Sequence, residues 1–179
     1  MKNSSDQGFD QHYNVQVAVD QSSYLIVGQG LCNQPTDHDQ ALPTLDSIPD
    51  ELGSPAAVAL DNGYWSPDTV PHIQARGIEP YIATGREPHH RDWKTYFAQQ
   101  PDPPPASASP LVKMAYQLQT EIGKAIYRLR KSTVEPVIGI IKEVLGFRQF
   151  SLRGLDAAAG EWTLVCLAFN LKRLHTLMT

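Results

Sequence analysis

The sequence is poor in cysteine. Its 179 residues hold two, Cys32 and Cys166. They are too few and too far apart for a disulfide framework or a thiolate zinc site. No run of 18 apolar residues occurs, which excludes a membrane-spanning helix of the usual kind. The opening Met1-Lys2-Asn3-Ser4-Ser5-Asp6 lacks the apolar stretch of a secretory signal, so a reduced, cytoplasmic setting is expected. There is no phosphate-cradling glycine loop, no Gly-x-Ser-x-Gly and no Cys/His metal spacing. Nothing therefore argues for a small-molecule enzyme. No internal repeat is visible either.

What is present suits one globular domain. Hydrophobic residues make up 41% and charged residues 19%, a balance that can bury a core. The net charge of −4 conceals an asymmetry. Residues 1–110 carry 5 Lys+Arg against 14 Asp+Glu, and residues 111–179 carry 10 against 5. A basic final third suits a phosphate-rich partner, and equally an ordinary solvated helical surface.

Apolar residues alternate at Tyr13, Val15, Val17 and Val19, the period of a strand. After Gln21-Ser22-Ser23, residues Tyr24 to Gly28 predict a second strand, antiparallel to the first. Thr36 or Asp37 is placed to cap a helix running to about Ser47. Ala56 to Leu60 reads as a buried strand, and Asp61-Asn62-Gly63 as the turn that ends it. A helix follows from Pro67 to about Arg76, stopped by Gly77, and then a strand over 78–82. The order β-β-α-β-α-β describes an α/β layer with mixed strand directions.

Residues 84–110 are dense in proline and predict a loop or insertion. His89-His90 lies within it, but two adjacent side chains rarely face one ion. Helix formers dominate 112–131. A second helical segment is expected over 132–145, with Gly146 as its stop. Pro136 favours a first turn, which sets Glu135 near a helix start; one longer helix kinked at Pro136 is the alternative. The last helix, about 156–177, carries Leu164, Leu167, Ala168, Leu171 and Leu174 on one stripe.

Two acids stand out. Asp61 directly follows an apolar strand, where α/β sheets place reacting groups; taken alone, an Asx-turn residue explains it as well or better. Glu135, Gly139 and Lys142 stand at i, i+4 and i+7 and share a helix face. Glycine costs about 1 kcal/mol in a helix interior, so Gly139 predicts a close approach there.

These stretches together resemble the C-terminal part of bacterial insertion-sequence DDE transposases. The matching runs are Tyr13 to Asp20, Leu60 to Tyr64, Val134 to Lys142, Gly146 to Phe150, Leu152-Arg153-Gly154 and Asn170 to Leu174. They come in family order along nearly the whole chain. The resemblance implies a ribonuclease-H-like mixed sheet flanked by helices. It further implies Mg²⁺-dependent DNA cleavage and strand transfer by two-metal phosphoryl transfer. Asp61 matches the second family carboxylate and Glu135 the third. Tyr127, Arg130 and Lys142 match the phosphate-contacting signature around the third, with Lys131 at the arginine's usual spacing.

Residues 1–179 thus read as a partial catalytic domain, with a polar stretch over 1–12, the Pro-rich insertion over 84–110 and a helical part over 111–179. The strand that bears the first family carboxylate should precede 13–20, and only the polar stretch does. Asp20, Asp6 and Asp10 are poor substitutes. The expectation is an N-terminally truncated transposase, inactive alone, with an incomplete Mg²⁺ site. Its implied partners are transposon-end DNA and a second copy or a full-length transposase. The competing readings are a non-catalytic DNA-binding or inhibitory fragment, and a decayed reading frame.

Overall fold

A computed structural model describes residues 12–85 and 102–179. Expectations placed on Asp6, Asp10, His89, His90 and most of the proline-rich stretch lie outside the described residues. The chain divides into two compact units: Met1–Gly53 with Lys131–Thr179, and Ser54–Arg130.

In the first unit, β1 (Asn14–Val19) and β2 (Ile26–Cys32) pair antiparallel, with Asn14 opposite Cys32 and Ala18 opposite Gly28. The alternation read from the sequence is realised, since Val15, Val17 and Val19 all pack against the core. That core is Ile26, Val137, Ile141, Trp162, Cys166 and Phe169. Burial pushes the Cys166 thiol up to about 12, so it packs as a neutral group. A short helix, α1 (Ala41–Asp46), presses on β2. A Cβ at Gly28 would lie 2.9 Å from the Thr44 carbonyl, so only glycine allows that approach. The expected cap at Thr36 or Asp37 lies short of this helix. Asp37 instead accepts from Asn14 Nδ2 at 2.7 Å and Gln16 Nε2 at 2.8 Å.

In the second unit, β3 (Ala57–Leu60) and β4 (Glu79–Ile82) are parallel, Ala57 opposite Glu79 and Leu60 opposite Ile82. Helix α2 (Thr69–Gln74) lies between them in sequence, as a parallel pair requires. Helix α3 (Pro110–Gln119), capped by Ser109, packs on β4 through the buried Met114. The helix expected over 112–131 is therefore broken. Thr120 is extended, and its Oγ1 accepts the Gly123 amide at 3.0 Å to start a new helix. A Cβ at Gly123 would fall 1.9 Å from the Gln117 carbonyl, so the break needs that glycine.

The new helix, α4, runs unbroken over Glu121–Glu143 with Pro136 inside it. The division expected near residue 132 is thus absent, the alternative of one longer helix through Pro136 is what forms, and Glu135 is interior rather than near a helix start. An internal proline costs roughly 3 kcal/mol. Val137 and Ile141, buried to 1% and 2% exposure in the core, hold the turn that follows it. Gly146, at φ +73°, ends this region as expected.

Helix α5 (Leu155–Met178) lies along β2, with Ala158, Trp162, Cys166 and Phe169 buried. The leucine stripe read as its apolar face points the other way: Leu164, Leu167, Leu171 and Leu174 are exposed. The helix is apolar on two opposite sides, and the bulkier aromatic side took the core. The α/β class and the element order stand. Among the described residues, however, the strands form two two-stranded sheets and not one mixed sheet. Each strand has a strand neighbour on one side only.

Candidate functional site

Strand β3 delivers Asp61 to its C-terminal end. There the carboxylate caps a short 3₁₀ turn, Asn62–Tyr64, accepting the Asn62 amide at 2.8 Å. The local capping role is therefore real, and it uses only Oδ1. Oδ2 lies 3.5 Å from Arg130 Nη1. The Arg130 guanidinium also stands over the Tyr127 ring, 5.5 Å from its centroid, one helical turn back on α4. Arg130 is only 15% exposed and its Nε finds no hydrogen-bond partner among the described residues, whereas Asp61 is 58% exposed. In an ion pair this open, the gain is about 0–1 kcal/mol. Its consequence is chemical: Asp61 faces a fixed cation on one side and solvent on the other.

Within the second unit, then, Asp61, Tyr127 and Arg130, each singled out by the resemblance, come together. Within the first unit, Lys131, Glu135 and Lys142 lie exposed on α4 at intervals of four and seven residues. The close approach expected at Gly139 is not found. A Cβ built there meets nothing within 4 Å among the described residues, so the chain itself gives no packing reason for the glycine.

Among the described residues, no resident two-metal centre is formed. Asp61 is paired with an arginine. Among the described residues, no group of three or more His, Cys, Asp or Glu side chains is arranged to hold a metal ion. Asp20 is also spoken for. Its Oδ2 accepts from Ser23 Oγ, Ser22 Oγ and the Ser23 amide at 2.7, 2.7 and 2.8 Å. These donors hold its carboxyl below the ordinary value of 3.8 and close the β1–β2 turn.

Sequence reasoning missed what the later motifs do. Arg173 Nε donates to the Ser23 carbonyl at 2.7 Å and its guanidinium stands 5.3 Å over the Tyr24 ring. Phe150 meets Tyr13 edge-on at 5.3 Å, and the Tyr13 hydroxyl accepts the Gly154 amide at 3.0 Å. Glu161 accepts the amides of Ser151 and Leu152 at 2.9 Å each. These stretches tie β1, β2 and α5 into one body. No sequence pattern signals it, because the meeting of a helix-borne Arg with a two-strand hairpin is visible only as a contact.

No helix among the described residues is long and apolar enough to cross a membrane. Residues 105–175 match the family model of the transposase DDE domain. That span contains Tyr127, Arg130, Lys131, Glu135 and Lys142, and it leaves Asp61 outside. Neither the search of curated proteins nor that of solved structures returns a match.

Proposed function

We propose, from the match of residues 105–175 to the transposase DDE domain, that this chain is the DNA-engaging part of an insertion-sequence transposase, unable to cut DNA alone. The fold it belongs to is ribonuclease-H-like, and its setting is the cytoplasm. Its partners are transposon-end DNA and a full-length transposase or a second copy.

The observation that carries this reading is the Asp61–Arg130 pair. A carboxylate at the end of a half-buried strand is matched with a guanidinium suited to a phosphate. Asp61 and Glu135 stand as the second and third catalytic carboxylates. Tyr127, Arg130, Lys131 and Lys142 stand as contacts to the DNA backbone. Mg²⁺, when held by a complete set of carboxylates, supplies the Lewis acid for phosphoryl transfer. Two carboxylates, one facing an arginine, do not make that set, so no cleavage step is assigned to the chain by itself.

A nicking assay on supercoiled DNA with Mg²⁺ tests the proposal. The expected result is no nicking above the level of the Asp61→Ala/Glu135→Ala double variant. Nicking by the chain that either substitution abolishes would overturn the claim of an incomplete site. The alternative of a purely inhibitory fragment rests on the same missing set, and no separate observation favours it.

A further inference from the structure

Gly139 is a glycine that nothing in the described chain requires. It lies inside α4, where glycine weakens a helix relative to alanine. Its φ is not positive, unlike that of Gly53, Gly77, Gly146 and Gly154, so the backbone conformation does not need it. A Cβ built there meets nothing within 4 Å among the described residues, so packing does not need it either. At about 100° per residue, Gly139 lies about 200° round the helix from both Val137 and Ile141, which are buried, so it faces directly away from the core. What remains is an approach from outside, since only at a glycine can a ligand touch the helix backbone itself.

The neighbours of Gly139 indicate what approaches. Within about 80° to either side of it on α4 stand Lys131, Ser132, Glu135, Pro136, Lys142 and Glu143, all exposed. Glu143 is held by Arg148 Nη2. Pro136 is the one apolar side chain among the six, and charged groups are depleted from the core of a protein–protein contact. A face with two lysines around a bare patch of backbone suits a DNA strand instead, whose phosphates take cations and whose sugars between them carry no charge. Gly139 also lies within residues 105–175, the segment that matches the transposase DDE domain.

We propose that the sugar-phosphate backbone of one DNA strand crosses α4 at Gly139, with a deoxyribose resting on the bare helix and flanking phosphates reaching Lys131 and Lys142. The inference rests on the DNA reading above and adds to it the point of closest contact. Lys142 stands about 4.5 Å further along the helix axis and Glu135 about 6 Å before. The strand that touches Gly139 therefore also passes the Glu135 carboxylate. A side chain at 139 would lift the strand away from both.

Fluorescence anisotropy of a labelled duplex titrated with the full chain tests the proposal, alongside thermal unfolding of the same variants. Gly139→Ala should unfold at a higher temperature than the native chain and yet bind DNA about 3-fold more weakly. Gly139→Gln should weaken binding by about 10-fold or more; if it unfolds the chain, the alanine variant decides. Neither substitution removes a cation, so the dependence of the binding constant on salt should keep its slope. Gly160→Ala is the control. Gly160 lies inside α5 with an equally open Cβ and no Lys or Arg within one turn, so this variant should gain stability and keep the native affinity. Salt-dependent binding by the native chain that both Gly139 variants match overturns the contact and leaves the DNA reading standing. An equal loss in Gly160→Ala overturns the contact too. A folded native chain with no salt-dependent affinity overturns the DNA reading, and this contact with it.

Discussion

The side chain of Asn170 replaces a strand for one residue of β2. Its Nδ2 donates to the Ile26 carbonyl at 2.8 Å, and its Oδ1 accepts the Ile26 amide at 2.8 Å. Ile26 sits where the β1–β2 register slips, between Ala18 and Val19. The helix thus satisfies both backbone groups of a core residue at the point where the ladder is irregular.

Removing that amide leaves two part-buried backbone groups without their partner. Each costs about 1–3 kcal/mol when unsatisfied. Asn170→Ala should lower the unfolding free energy by about 2 kcal/mol, read from the urea midpoint at unchanged slope. Asn170→Asp keeps the acceptor, loses the donor and should fall between the two.

Stability should depend on Asp20 in acid. The hydroxyl of Ser23, that of Ser22 and then the Ser23 amide hold its carboxyl below 3.8 in the folded chain. The folded form therefore binds that proton less readily than the unfolded chain. Its contribution is complete above the unfolded value and disappears as pH falls through the folded one. Asp20→Asn should be less stable at neutral pH and should flatten the acid limb of stability against pH. An unchanged limb in urea titrations at pH 2–5 would remove Asp20 from this role.

The two glycines of α4 should respond oppositely to alanine. At Gly139 the added methyl meets open space, so Gly139→Ala should raise stability by about 1 kcal/mol. At Gly123 it lands 1.9 Å from the Gln117 carbonyl, so Gly123→Ala should destabilise the α3–α4 junction. Thermal unfolding of the pair reads both signs in one experiment.

Much of this was legible in the chain, and the losses have physical causes. Alternation at Val15, Val17 and Val19 gave β1, because one of its faces packs on a core. Gly77 and Gly146 marked stops because a positive φ there favours glycine. The break at Thr120 was hidden, since it depends on the Gln117 carbonyl lying where a Cβ at 123 would go. Pro136 misled because tertiary burial of Val137 and Ile141 outweighed a local preference. The leucines of α5 misled because the helix has two apolar faces, and periodicity does not say which one meets the sheet. At the candidate site, the resemblance singled out Asp61, Arg130 and Tyr127, and the structure brings them together. That Asp61 faces a cation was beyond spacing to reveal.

DNA affinity against salt tests the central claim most directly. Fluorescence anisotropy with a labelled duplex should give a logarithm of the binding constant that falls linearly with the logarithm of salt. Arg130→Ala, Lys131→Ala and Lys142→Ala should each flatten that slope by about 1, weakening binding to all sequences alike. An affinity that ignores salt, or no affinity at low salt from a folded chain, would contradict the account.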